Sequence, residues 1–221
     1  MLWKESDPMA TGTKYIPALR FGWLTPVYDP VLRRMLPEVA LKQRLIAQAQ
    51  IAAGQRVLDL GVGTGTLTVR IKQNCPDAEV VGLDGDATIL ALAREKAAAV
   101  GAALRFDQGL ATALPYDDAT FDRVLSSLML HHLTTADKGR ALREAWRVLR
   151  PGGELHVLDF GPPQNAPAWL ISRVFRRMER TADNITGRLP EIFRQAGFTA
   201  VEQTAQQTTI LGTLTLYRGR K

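Results

Sequence analysis

Three glycines at alternate positions, Gly61, Gly63 and Gly65, fall within Val57-Leu-Asp-Leu-Gly-Val-Gly-Thr-Gly65, between a short apolar run and a stretch of helical periodicity. Without Cβ atoms the backbone there can turn tightly and let a ligand lie against it. The free N–H groups and positive potential at the start of the next helix suit a carboxylate or a phosphate. Asp84, closing the following apolar run, is the acid expected to hydrogen-bond a ribose diol. A dinucleotide loop places its third glycine one residue later than Gly65, where this chain has Thr66. The spacing therefore disfavours a nicotinamide-dependent oxidoreductase, which stands as the alternative reading beside a non-catalytic cofactor-binding module. A second group able to do chemistry is the pair His131 and His132, whose side chains titrate near neutrality and so suit a general base.

The elements that must position these groups follow from the apolar pattern. Strands are expected at 56–60, 79–83, 103–106, 121–126 and 154–159, with helices at 64–73, 86–100 and 135–149 between them. Apolar strands alternating with helices imply a parallel sheet covered on both faces. After a helix at 187–196, strands at 199–204 and 208–217 are separated by so few residues that they must be antiparallel. The expected fold is α/β, a Rossmann-like doubly wound sheet of seven strands, mostly parallel and ending in an antiparallel hairpin. Residues 1–53 are read as a helical extension or lid, and 54–221 as the main domain with a basic amphipathic insertion helix near 167–181.

The 221 residues, 46% hydrophobic and 23% charged, suit one globular domain with a full core. A single cysteine, Cys75, excludes an internal disulfide, and with only three histidines no metal site is expected. No signal peptide or membrane span is seen, so a cytoplasmic protein is expected, at most peripheral to the inner face of a membrane. The net charge of +6 favours an anionic contact, yet no nucleic-acid-binding motif accompanies it, which makes nucleic acid an unlikely partner.

Several segments together resemble the class I S-adenosylmethionine methyltransferases, and among them the ubiquinone/menaquinone C-methyltransferase-like group. They are the glycine loop, Val81-Gly-Leu-Asp84, Gly109-Leu-Ala-Thr-Ala-Leu-Pro-Tyr116 with Phe121-Asp122, Leu130-His-His-Leu133, and Ala145-Trp-Arg-Val-Leu-Arg-Pro-Gly-Gly153. The resemblance implies that Gly61, Gly63, Thr64 and Gly65 hold the methionine end of S-adenosylmethionine, while Asp59 beneath them orients its ammonium group. A purely structural carboxylate satisfied by loop N–H groups is the plainer reading of Asp59. Asp84 would bind the ribose with Gly85 alongside; Asp86 reads better as a helix cap. Many relatives carry Gly-Asp-Ala where this chain has Gly109-Leu110-Ala111, so the adenine amino group would need a backbone carbonyl or Asp107 instead, with Leu110 packing on the ring. Ser126 and Ser127, at a strand end, are placed to contact the cofactor, and Ser126-Ser-Leu-Met129 is not the motif of enzymes that methylate amide or base amino groups.

Methyl transfer from a sulfonium mainly requires alignment and exclusion of water, so the residues give the reaction before the acceptor. Tyr28, in an aromatic entry segment that ends Tyr-Asp in the family, joins His131 and His132 as a catalytic candidate; Tyr15 and Trp23 read as packing, and His156 as a hydrogen-bonded core residue. On the insertion helix, Ile171, Val174, Phe175 and Met178 share one face and Arg173, Arg176, Arg177 and Arg180 the other. Such a helix, with Trp169, suits either a cap over the site or an anionic lipid surface. The expected acceptor is small or lipophilic, a quinone-like ring or a phospholipid amine headgroup.

Overall fold

The computed structural model describes residues 38–170, 180–210 and 212–221. Tyr15, Trp23, Tyr28, Arg173, Arg176 and Arg177 lie outside the described residues.

Helix α1 (Glu38–Ala49) leads into β1 (Arg56–Leu60), α2 (Thr66–Asn74), β2 (Glu79–Asp84), α3 (Ala87–Ala99) and β3 (Arg105–Gln108). Then come β4 (Phe121–Ser127), a 3-10 turn (Leu130–His132), α4 (Thr135–Val148) and β5 (Leu149–Phe160). A helical stretch at 166–170, α5 (Ala182–Ile185), α6 (Leu189–Gln195), β6 (Thr199–Thr209) and β7 (Gly212–Arg220) complete the chain. The seven strands form one sheet in the order β3-β2-β1-β4-β5-β7-β6. The first five run parallel, and β7 enters antiparallel between β5 and β6. Strand order reverses between β1 and β4, and the crevice outside the carboxyl ends of strands at such a reversal is where ligands bind.

Alternation along the strands explains the layers. Leu58, Val124, Leu155, Val157 and Tyr217 turn to one face, under Leu142, Ala145 and Val148 of α4 and Ile192 and Phe193 of α6. Val57, Val80, Leu125, Leu158, Leu214 and Leu216 turn to the other, under Leu41, Leu45, Ile46 and Ala49 of α1 and Leu67 and Ile71 of α2. Each such fully buried aliphatic side chain contributes about 1.5–3 kcal/mol. The described part of the amino-terminal segment is thus a core layer. Helix α4 is opened by Thr134, whose hydroxyl accepts from the Asp137 N–H at 3.2 Å.

Four expectations shift. The third strand lies two residues later, where Arg105 pairs with Val81. The fifth begins at Leu149 rather than Glu154, because buried Leu149 already pairs with Phe121 and the strand continues past an irregularity at Pro151-Gly152-Gly153, where Gly152 has φ 77°. The first helix after the loop starts at Thr66, since Gly65 still has φ 78°. The last hairpin turns between Thr209 and Gly212 and not at 205–207: Ala205, Gln206 and Gln207 stay in register with Leu216, Thr215 and Leu214. Polar residues are tolerated there because β6 is an edge strand with one side in water. Among the described residues no helix is long and apolar enough to cross a membrane, and no cluster of His, Cys, Asp and Glu could hold a metal ion.

Candidate active site

At the end of β1 the chain turns through Gly61, Gly63 and Gly65 with φ of 79°, 54° and 78°, a conformation that side chains rarely adopt. A Cβ on Gly61 would overlap Met129 Cγ, and one on Gly65 would stand 2.9 Å from Ala93 Cβ of α3. Gly63 faces open space, with nothing within 4 Å of such an atom, so the loop is packed from below and open above. Lys96 of α3 fixes its far side, donating to Thr64 Oγ1 at 3.0 Å and Thr66 Oγ1 at 2.8 Å.

Two carboxylates complete this half. Asp84 accepts from the Gly63 N–H at 2.9 Å through Oδ2 and from the Asp86 N–H at 3.1 Å through Oδ1. Its remaining lone pairs can still accept ribose hydroxyls. Asp86 is the cap of α3, accepting from the Thr88 N–H at 2.8 Å and the Ile89 N–H at 3.3 Å. Asp59 is 1% exposed and is satisfied differently from expectation: the Thr68 hydroxyl, not the loop amides, donates to Oδ2 at 2.6 Å. Its Oδ1 is buried with no hydrogen-bond partner. Burial pushes the carboxyl up to about 6, against the Thr68 hydrogen bond and the charge of Lys42, which lower it. A buried oxygen lacking a donor below an open glycine cradle fits the ammonium end of an amino-acid-bearing nucleoside.

Beyond β3, Gly109 donates its N–H to the Asp84 carbonyl at 3.0 Å, and Leu110 stays 39% exposed above it. Asp107, suggested by the sequence as a substitute adenine acceptor, already takes two hydrogen bonds and keeps further lone pairs. Arg105 Nε donates to one of its oxygens at 2.9 Å and the Tyr116 hydroxyl to the other at 3.0 Å. The Gly85 carbonyl takes a hydrogen bond from Gln108 Nε2 at 3.3 Å. Ser126, expected to touch cofactor, is 1% exposed and donates its hydroxyl to the Leu60 carbonyl at 2.8 Å, so it ties β4 to the last residue of β1 below the loop.

The other half of the edge lies at the ends of β4 and β5. Leu128, just past β4, has φ 57°, a costly conformation for leucine, and it directs the chain so that Met129 lies under Gly61. His131 then meets Asp159: its Nδ1 lies 2.9 Å from Oδ1, and its backbone N–H donates to Oδ2 at 3.3 Å. The Phe160 N–H adds a bond to Oδ1 at 2.7 Å, and the Phe160 ring stands edge-on to the imidazole at 4.9 Å. Asp159 is 0% exposed, which by itself would raise its pKa. The His131 charge and these hydrogen bonds outweigh burial and hold the carboxyl below the usual range. With Asp159 an anion, a neutral His131 imidazole that carries its proton on Nδ1, toward the carboxylate, presents Nε2 as an acceptor. His132 has no such carboxylate; it is exposed, with its ring 4.0 Å from that of His131 and its carbonyl accepting from Arg180 at 3.2 Å.

His156 is buried in mid-strand, with Gln48 Nε2 3.0 Å from its Nδ1, as a core histidine should be. Sequence reasoning missed Asp159, Thr68, Lys96 and Met129. Only Asp159 carried a usable signal, an acid at the carboxyl end of a parallel strand.

A methyltransferase domain family matches residues 57–153. The demethylmenaquinone methyltransferase of Thermus thermophilus is 40% identical over 158 residues, which are 70% of this chain and 70% of that protein. The enzyme of the same name from Deinococcus radiodurans is 38% identical over 159 residues, 71% of this chain and 64% of that one. Among solved structures, phosphoethanolamine N-methyltransferase 2 of Haemonchus contortus in complex with S-adenosyl-L-methionine superposes with a TM-score of 0.63. At 22% identity, over 76% of this chain and 39% of that one, it shows the shared fold alone.

Proposed function

The chain belongs to the demethylmenaquinone and ubiquinone/menaquinone C-methyltransferase family of class I S-adenosylmethionine-dependent enzymes, and on that premise we propose that its methyl acceptor is the reduced ring of a quinone. It is a methyltransferase, and S-adenosylmethionine is its cofactor. When bound, that cofactor supplies a methyl group already activated on a sulfonium. The chain has to hold the donor, align the ring and take one proton.

In this reading Asp59 Oδ1 receives the ammonium and Asp84 the ribose hydroxyls, while the backbone of Gly61, Gly63, Thr64, Gly65 and Gly85 lies against the donor. Gly109 and Leu110 flank the adenine. His131 Nε2 takes the proton that a ring hydroxyl loses as the adjacent carbon gains its methyl; the hydrogen that carbon carried then leaves and the oxygen is reprotonated, so one proton is released overall. Asp159 acts through His131, as a positioning residue. The observation that carries the proposal is the 2.9 Å pairing of His131 with fully buried Asp159 at the sheet edge beside the glycine loop. His132 and Tyr28 stand behind His131 as candidates.

We propose further that the arginine-bearing segment, Arg173, Arg176, Arg177 and Arg180, meets an anionic membrane at the cytoplasmic face, where a lipophilic acceptor resides. Arg140, Arg143 and Arg188 add a basic cleft of about 480 Å³ between α4 and α6, and Trp169 and Leu170 are 51% and 64% exposed.

The test is methylation of a short-chain demethylmenaquinol by the purified protein, with phosphoethanolamine as the rival acceptor. Product from the quinol alone is expected; product from the amine alone would overturn the proposal. Co-sedimentation with anionic vesicles, lost on neutralising the four arginines, tests the membrane contact.

A further inference from the structure

Around the end of β5, polar groups are buried without partners. Asn184 is 0% exposed, and neither its amide nitrogen nor its oxygen has a hydrogen bond. Thr213 Oγ1 is likewise unpaired, and the Tyr217 hydroxyl lies close to Thr215 without a well-formed bond. Native proteins rarely keep such groups, because each has given up water for nothing. Where they persist together, a ligand is the natural partner.

Their placement points to one spot. Asp159 faces Thr215, and Val157 faces Tyr217, across the β5–β7 ladder, so Asp159, Thr213, Thr215 and Tyr217 share one side of the sheet. A Cβ on Gly161 would overlap Thr215 Oγ1 and come within 3.1 Å of the Tyr217 hydroxyl, and the Gly161 N–H donates to the Thr213 carbonyl at 2.9 Å. Helix α5 closes over this spot. Its Asp183 is tied to Thr135 at 2.6 Å and to fully buried Lys138 at 3.2 Å at the start of α4, and a Cβ on Gly187 would stand 3.2 Å from Pro162 Cγ. Asn184, the next residue, therefore belongs to a short segment spanning from the start of α4 to the end of β5, the strand that carries Asp159.

We propose that Asn184, with Thr213 and the Tyr217 hydroxyl, forms the polar end of the methyl-acceptor pocket and binds a second oxygen of a dihydroxylated aromatic ring. An amide offers a donor and an acceptor together, the pair that one hydroxyl satisfies in both directions. With one ring oxygen at His131 and the other at Asn184, the ring is fixed at two points and the carbon beside the first oxygen is held for the methyl. This inference rests on the reduced-quinone reading above.

The probes are 1,4-dihydroxynaphthalene and 1-hydroxynaphthalene, titrated calorimetrically under reducing conditions into protein saturated with S-adenosylhomocysteine. Wild type is expected to prefer the diol by about tenfold or more, a site built to hydrogen-bond an oxygen rejecting the analogue that lacks it. Asn184→Leu should lose that preference and raise KM for the diol by about the same factor. Its affinity for S-adenosylhomocysteine should be unchanged, and its Tm equal or higher, since a buried unpaired amide has been removed. Tyr217→Phe deletes only a hydroxyl and leaves no cavity, so it serves should the leucine variant not fold; it should narrow the preference severalfold. A preference untouched in a folded variant would overturn the role of these residues alone. Failure of wild type to bind either ring would overturn the acceptor reading and this inference with it.

Discussion

On either side of the switch between β1 and β4, the carboxyl edge of the sheet is built by opposite means. On the side proposed for the cofactor the contacts are local and made largely by backbone: three glycines, the Gly63 N–H on Asp84, and a cap at Asp86 two residues further on. On the side proposed for the acceptor they are long-range and made by side chains. His131 reaches Asp159, Thr135 and Lys138 reach Asp183, and Tyr217 arrives from a strand near the end of the chain. The first side is a motif; the second is an assembly, and it keeps its polar groups unpaired. The difference suits a shared donor and an acceptor that varies from enzyme to enzyme.

The largest effects should come from separating the two sides. His131→Asn and Asp159→Asn are each expected to lower kcat by about 10²–10⁴-fold, the usual contribution of general-base catalysis, while affinity for S-adenosylhomocysteine stays within about threefold. Equal losses in turnover and cofactor binding would show the sides to be one unit. Asp84→Ala should do the converse, weakening S-adenosylhomocysteine by about 100-fold, or about 2.7 kcal/mol, in a calorimeter.

A milder test uses pH. Asp59 must be ionised to hold an ammonium group, and its carboxyl titrates at about 6. Cofactor affinity should fall by about fivefold between pH 6 and pH 5, and Asp59→Asn should bind more weakly with no such slope. A flat wild-type profile would remove the ammonium from Asp59. The smallest effect concerns the scaffold common to both sides. Burial, with the charges of Arg123 and Arg218, lowers His156 to about 3. Between about pH 6.5 and that value the unfolded chain binds a proton that the folded chain refuses, so stability drops as pH falls, by up to about 1.4 kcal/mol per unit. Asp59 acts in the opposite direction below pH 6, so the comparison is wild type against His156→Gln, whose Tm should fall less, or rise, as the pH is lowered.

The same asymmetry decided what could be read from the residues. Periodicity placed all seven strands, because each buries an apolar run and neighbouring elements differ in period. The turn through the three glycines was legible because a backbone at positive φ constrains residue type directly. Thr68 on Asp59 was not, since a threonine in a helix carries no mark of what its hydroxyl meets. Pairing His131 with Asp159, and singling it out from His132, required the β4–β5 register. The end of β6 was missed because an edge strand with one wet side resembles a polar turn.

One feature of the sheet also sets an order of assembly. Strand β7 is made after β6 yet lies between it and β5. As the chain leaves the ribosome, the glycine loop and Asp84 are available early, whereas the strand bearing Asp159 keeps one edge open until Thr215 has been synthesised. Through that interval an unpaired apolar edge is the chain's point of exposure to aggregation.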